Sequence, residues 1–240
     1  MRADGSSVQR LTSDAYGHAG PAWSPDGKTI AYQAFGYIDR INIDGTHWKR
    51  LFAQAGEDFG ACCPAWSPNG QEIAYVNGHG NVATIWVMRS DGSNKRRIAS
   101  PTADGVGYTY PTWSPNGTWI AFSYLLPARN GSARGYLGLI RATGRGRIKR
   151  LKLGYAPWQP AWSRDGSKIA VSDTLDRIEV LNLRTGRISR LLTGQHPSWS
   201  RGGTSIVYDC GSGSPTRTYR GPGEICTMRV DGSHMRRLTH

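Results

Sequence analysis

Five stretches of the chain read almost alike: PAWSPDGKTIAY (21–32), PAWSPNGQEIAY (64–75), PTWSPNGTWIAF (111–122), PAWSRDGSKIAV (160–171) and PSWSRGGTSIVY (197–208). Their tryptophans fall at 23, 66, 113, 162 and 199, so the unit is about 44 residues. A fixed period of that length restricts a chain to repeat architectures, in which each unit buries its apolar faces against its neighbours. A second phrase follows each first one: an apolar alternation, a Gly turn, then basic residues before a closing Leu or Ile. Its copies are 41–51, 85–98, 137–151, 178–191 and 225–238, and residues 1–11 form a sixth.

Each phrase has the physics of a hairpin. In WSPDGK the proline presets φ at the first turn position, Asp or Asn suits the next, and Gly takes the left-handed one. The flanks alternate with the period of a strand. The second phrase turns on Asp-Gly or Thr-Gly. One repeat is therefore a four-stranded meander, and radial stacking of such meanders gives a β-propeller. The expectation is an all-β propeller, a single domain with blades at about 20–52, 63–99, 110–152, 159–193 and 196–239, and a half blade at 1–12. The half blade has third and fourth strands but no first and second, which points to a six-bladed ring that has lost its upstream part. The rival is a closed five-bladed ring in which the opening and closing copies compete for one edge, or the opening copy adds outside the last blade as a clasp. Trp23, Trp66, Trp113, Trp162 and Trp199 are expected as wedges between blades.

The phrase Pro-x-Trp-Ser-Pro-Asp-Gly-x-x-Ile-Ala-aromatic, followed by Asp-Gly and Arg-Leu-Thr, resembles the repeat of TolB-type β-propellers over essentially the whole chain. That resemblance implies a periplasmic or extracellular binding protein that docks other proteins. The repeat is also similar to that of prolyl-oligopeptidase propellers and of oligogalacturonate lyases. The fourth and fifth copies depart from the pattern: Arg164 and Arg201 replace the turn proline and Gly202 replaces Asp. Looser turns are expected there.

Short first–second and third–fourth turns are structural, whereas the other two kinds of connection are read as long and variable, the usual seat of function. The innermost strands should bring the residues before each Pro-x-Trp around a channel mouth. They include His18, Cys63, Tyr110, Trp158, Gln159, Gln195 and His196, a nearly uncharged set suited to a peptide, sugar or small molecule. The lyase resemblance would put a metal on histidines and a glutamine, but only Gln195, His196 and His18 offer themselves, so no metal and no cofactor is expected. No Gly-x-Ser-x-Gly elbow and no phosphate loop before a helix occurs. A non-catalytic scaffold that docks a protein or peptide is the first expectation. A gating propeller parted from a peptidase domain comes second, and a metal-dependent lyase third.

The net charge of +13 admits a polyanionic partner. Ten of the thirty basic residues, however, stand on fourth strands, where charge blocks edge-to-edge association. No aromatics interleave with them to stack bases. No run of about 18 apolar residues offers a spanning helix, and no apolar signal core follows Met1, so an export address is expected outside this sequence. Cys210 and Cys226 bracket a Gly- and Pro-rich loop. A bridge between them would contribute roughly 3 kcal/mol and imply an oxidising compartment. A vicinal bridge between Cys62 and Cys63 is strained, so two thiols are expected there.

Overall fold

Written five times, the double hairpin gives, among the described residues, twenty strands in five antiparallel sheets of four. The computed structural model describes residues 9–13, 17–52, 60–78, 82–101, 107–127, 133–153, 156–211 and 224–239. The first sheet holds β1 (His18–Trp23), β2 (Thr29–Ala34), β3 (Tyr37–Asn42) and β4 (Lys49–Phe52). The second holds β5 (Ala61–Trp66), β6 (Glu72–Asn77), β7 (Thr84–Arg89) and β8 (Arg96–Ala99). In the third are β9 (Thr109–Trp113), β10 (Trp119–Pro127), β11 (Ala133–Arg141) and β12 (Lys149–Lys152). The fourth comprises β13 (Pro157–Trp162), β14 (Lys168–Asp173), β15 (Arg177–Asn182) and β16 (Ile188–Thr193). The fifth comprises β17 (Gln195–Trp199), β18 (Ser205–Asp209), β19 (Ile225–Arg229) and β20 (Arg236–Arg237). Strands pair in chain order in every sheet. The first three sheets lie in one compact unit, Arg10–Ala156, and the last two in a second that includes Pro157–His240.

The six-bladed reading is corrected to five blades. Residues 9–13 carry no strand, and the Arg10 Nε–H donates to the nearby Thr12 carbonyl at 2.6 Å. The fifth sheet takes its fourth strand from the closing phrase, with Cys226 opposite Arg237 and Thr227 opposite Arg236. That edge is therefore already filled by the second copy of the motif. The rest of the expected half blade, residues 1–8, lies outside the described residues.

The turns of the fourth and fifth blades are not looser. In all five first–second turns the Gly N–H donates to the Ser carbonyl at 2.9 Å: Gly27 to Ser24, Gly70 to Ser67, Gly117 to Ser114, Gly166 to Ser163 and Gly203 to Ser200. The Ser hydroxyl also accepts the amide five residues on, at 2.9 Å in four blades and 3.1 Å at Ser200. These bonds and the left-handed Gly (φ 69–70°) hold the turn, so losing the proline that presets φ leaves the geometry unchanged.

Packing between sheets explains the Ile-Ala-aromatic phrase. Period two puts Ile and the aromatic on one face and Ala on the other. Ile73 and Tyr75 of β6 pack with Ala31 of β2, Ile120 and Phe122 of β10 with Ala74 of β6, and Ile206 and Tyr208 of β18 with Ala170 of β14. A large face thus meets the small face of the preceding sheet, and each buried Ile or aromatic contributes about 1.5–3 kcal/mol. The tryptophans add a polar tie. Trp66 Nε1 donates to the Ala22 carbonyl (3.1 Å), Trp113 to Ala65 (3.1 Å) and Trp199 to Ala161 (2.9 Å). Trp162 is half-buried. Trp23 departs from the wedge expectation, being 59% exposed.

The basic fourth strands are more than a solvated rim. Arg50 pairs with Asp39 (3.0 Å), Arg190 with Glu179 (2.9 Å), Arg96 with Glu72 (3.0 Å) and Arg237 with Glu224 (3.0 Å). Asp39 and Glu179 are buried, so the edge arginines supply counter-charge to carboxylates inside the sheets.

Candidate functional site

The residue before the conserved-in-repeat proline adopts the same unusual conformation in all five blades. Gly20 (φ 55°), Cys63 (58°), Tyr110 (52°), Gln159 (48°) and His196 (53°) are all left-handed. Each belongs to a bulge in the first strand. Between Cys62 opposite Val76 and Ala65 opposite Ala74, the pair Cys63-Pro64 faces Tyr75 alone. Likewise Gly20-Pro21 faces Tyr32, Tyr110-Pro111 faces Phe122, Gln159-Pro160 faces Val171 and His196-Pro197 faces Tyr208. The sequence selects this place because proline has no N–H for the ladder, and a bulge is where the ladder has already lapsed. Four non-glycine residues accept the steric cost of φ > 0 there. The bulge re-aims their side chains, a device that recurs beside functional sites.

In the first unit the bulges bring together neighbours from successive blades. Gly20 approaches Cys63, since a Cβ on it would lie 4.0 Å from the Cys63 Cα. The Tyr110 backbone N–H bonds Cys63 Sγ. Burial, with added charge from Cys63 and Cys62, pushes the Tyr110 phenol up to about 12. His18, two residues before the first bulge, sets its imidazole edge-on to Tyr32 at 5.1 Å. Cys62 belongs to the site as fully as Cys63, their Sγ atoms being 2.6 Å apart.

In the second unit Trp158 stands opposite Ser172, 40% exposed. Gln195 Nε2 donates to Asp176 Oδ1 at 2.6 Å, and His196 Nδ1 lies 3.8 Å from Asp209 Oδ2. The nearly uncharged set read from the sequence therefore acquires carboxylates at Gln195 and His196. Asp176 comes from the turn between the second and third strands, which only the pairing of β14 with β15 places beside β17. Among the described residues no three His, Cys, Asp or Glu side chains converge as metal ligands. Cys210, the residue after β18, and Cys226, on β19, form a disulfide with Cα atoms 5.7 Å apart.

The second–third connections are not uniformly long. In the first blade two residues suffice: Phe35 (φ 49°) and Gly36 (φ 82°), both at the positive φ that a type I′ turn requires. Phe35 is 74% exposed there. In the fourth blade Asp173 Oδ1 accepts the Leu175 and Arg177 amides at 2.8 and 3.0 Å, and its Oδ2 binds the Arg177 guanidinium at 2.7 Å. This short turn presents Leu175, 52% exposed.

The family model of the TolB beta propeller domain matches residues 1–240. The chain belongs to the TolB beta-propeller family. It superposes on TolB from Acinetobacter baumannii with a TM-score of 0.69 at 23% identity, covering 92% of this chain and 54% of that one. A putative TolB from Agrobacterium tumefaciens gives 0.70 at 19% identity, with coverage of 95% and 82%. A chain of a nidogen/laminin complex gives 0.70 at 16% identity, with coverage of 92% and 79%. These likenesses are of fold. The chain spans about half the length of the Acinetobacter protein. No curated protein sequence matches it. Within the TolB-like fold, the bulged residues lie at the end of each sheet that carries the second–third connections, as His18 opposite Ala34 and Pro157 opposite Asp173 show. Among the described residues no helix is long and apolar enough to cross a membrane.

Proposed function

We propose that this TolB-like propeller is a non-catalytic binding module that docks a protein or peptide on the connection-bearing ends of its blades. The observation that carries the reading is Phe35. A bulky aromatic at a left-handed turn position costs about 1–2 kcal/mol relative to glycine or asparagine, and most of its ring surface still faces solvent. Val82 and Leu175, 57% and 52% exposed, and Trp158 occupy the same ends of their own sheets. Exposed apolar and aromatic tips of this kind serve as anchors in protein interfaces. The bulged Cys63, Tyr110, Gln159 and His196 would supply polar contacts beside them. The Cys210–Cys226 bridge supports a periplasmic or extracellular setting. A polyanionic partner is the weaker reading, since edge arginines such as Arg50 and Arg190 already serve buried carboxylates.

Selection of peptides from a displayed library tests the proposal. Peptides with an apolar anchor should bind the wild type and lose at least tenfold in affinity on Phe35→Asn. That substitution creates the favoured Asn-Gly turn, so stability should hold or rise. Trp48→Ala, beside β4, should leave affinity unchanged. Failure to enrich any peptide, or equal affinity for the Phe35→Asn variant, would count against it.

A further inference from the structure

Neighbouring residues in a regular strand point to opposite faces, so adjacent cysteines in one strand are held apart. Cys62 and Cys63 escape that rule because the bulge turns Cys63 into the left-handed region. Their Sγ atoms are then 2.6 Å apart, about half an ångström beyond the ~2.05 Å of a disulfide bond. We infer that Cys62 and Cys63 form a redox modification site, a vicinal dithiol that closes to a disulfide by exchange with a small-molecule disulfide.

Three further observations support the inference. Both thiols are half-buried rather than sealed in the core. The Cys63 thiol donates to Cys62 and favours the Cys62 thiolate, while that contact and burial hold the Cys63 proton on. The two sulfurs are thus inequivalent, as an attacking and a resolving thiol must be. The same chain carries the Cys210–Cys226 disulfide, so its setting supports exchange at a second pair.

The chemistry balances with oxidised glutathione as the named co-reactant. The Cys62 thiolate attacks one glutathione sulfur and breaks the S–S bond. One glutathione thiolate leaves and is protonated, and a mixed disulfide remains on Cys62. Cys63 then gives up its proton, attacks Cys62 Sγ and expels the second glutathione thiolate, which takes a proton. The dithiol loses two electrons and two protons, and one glutathione disulfide becomes two thiols. Closure replaces two thiols beside Tyr110 with a disulfide that has no S–H to donate.

The full chain, equilibrated in glutathione buffers of graded oxidation, then acid-quenched and alkylated, gives the test by mass spectrometry. The peptide carrying residues 62 and 63 should take two alkyl groups under reducing conditions. Under oxidising conditions it should take none and be lighter by two hydrogens, with the change following a two-electron curve. Cys63→Ser should trap glutathione on Cys62, and Cys62→Ser should slow glutathionylation of Cys63 at least tenfold. Persistence of two alkylatable sulfurs across the series, or of stable glutathione adducts in the wild type, overturns the site. Equal trapping in the two single variants overturns the assigned order of attack.

Discussion

Tyr110 illustrates what the bulge does to a single side chain. Left-handed geometry carries it toward Cys63, where burial raises its phenol to about 12, and burial likewise raises Tyr124 to about 12 from an ordinary 10.0. Unfolded tyrosines ionise near pH 10, while these two keep their protons in the native state. Between pH 10 and 12 the folded chain binds more protons than the unfolded one, so stability falls as pH rises. The contribution is complete below pH 10 and lost through pH 12. Denaturation midpoints measured across that range should decline, and Tyr110→Phe with Tyr124→Phe should flatten the decline. An unchanged alkaline slope in the double variant would remove these residues as its cause. The sequence exposes the site residues through their place before Pro-x-Trp, since proline inside a strand signals an edge or a bulge. It conceals their left-handed φ and the meeting of Cys62 with Cys63, because strand periodicity assigns adjacent side chains to opposite faces. It conceals Asp176 as well, which reaches Gln195 only once a turn and the next blade's first strand are brought together.

At the scale of the element, the turns were readable because their chemistry is local. Ser, Gly and the amide five residues on close the first–second turn whether proline or arginine stands between, and reliance on the proline caused the expectation of looser turns. The third–fourth turns have a second role that local sequence does not show. Gly92 and Gly45 occupy the same position in successive blades, with φ 88° and 83°. A Cβ on Gly92 would lie 2.7 Å from the Leu51 carbonyl oxygen of the preceding blade, whereas one on Gly45 meets nothing within 4 Å. Gly45→Ala should therefore cost about 1 kcal/mol, the backbone term alone. Gly92→Ala should cost at least twice as much, because backbone rather than a flexible side chain must give way. Urea denaturation of the two variants isolates the contact between blades, and equal losses would show that the turn does not bear on its neighbour.

For the whole molecule, a stack of repeats draws its stability from each blade and from each interface between adjacent blades. The tryptophan bonds give a handle on three interfaces, each within one unit. Trp66→Phe, Trp113→Phe and Trp199→Phe each retain an aromatic body and strip the indole N–H from a backbone carbonyl, which should cost about 1–3 kcal/mol. Trp23→Phe should cost under about 0.5 kcal/mol, its side chain being exposed. Pairs should then report connectivity. Trp113 donates to Ala65, the residue adjoining Trp66, so Trp66→Phe and Trp113→Phe share a strand and should couple by about 0.5 kcal/mol or more. Trp199 donates to Ala161 and shares no acceptor strand with Trp113, so that pair should add within about 0.5 kcal/mol. The repeat itself made this arrangement legible as far as the number of complete blades. The opening copy of the closing phrase misled, because sequence identity cannot say which copy occupies an edge that accepts one strand. β20 occupies it, and the additivity pattern should follow the five sheets. A coupling between Trp113→Phe and Trp199→Phe equal to that between Trp66→Phe and Trp113→Phe would break the nearest-neighbour account.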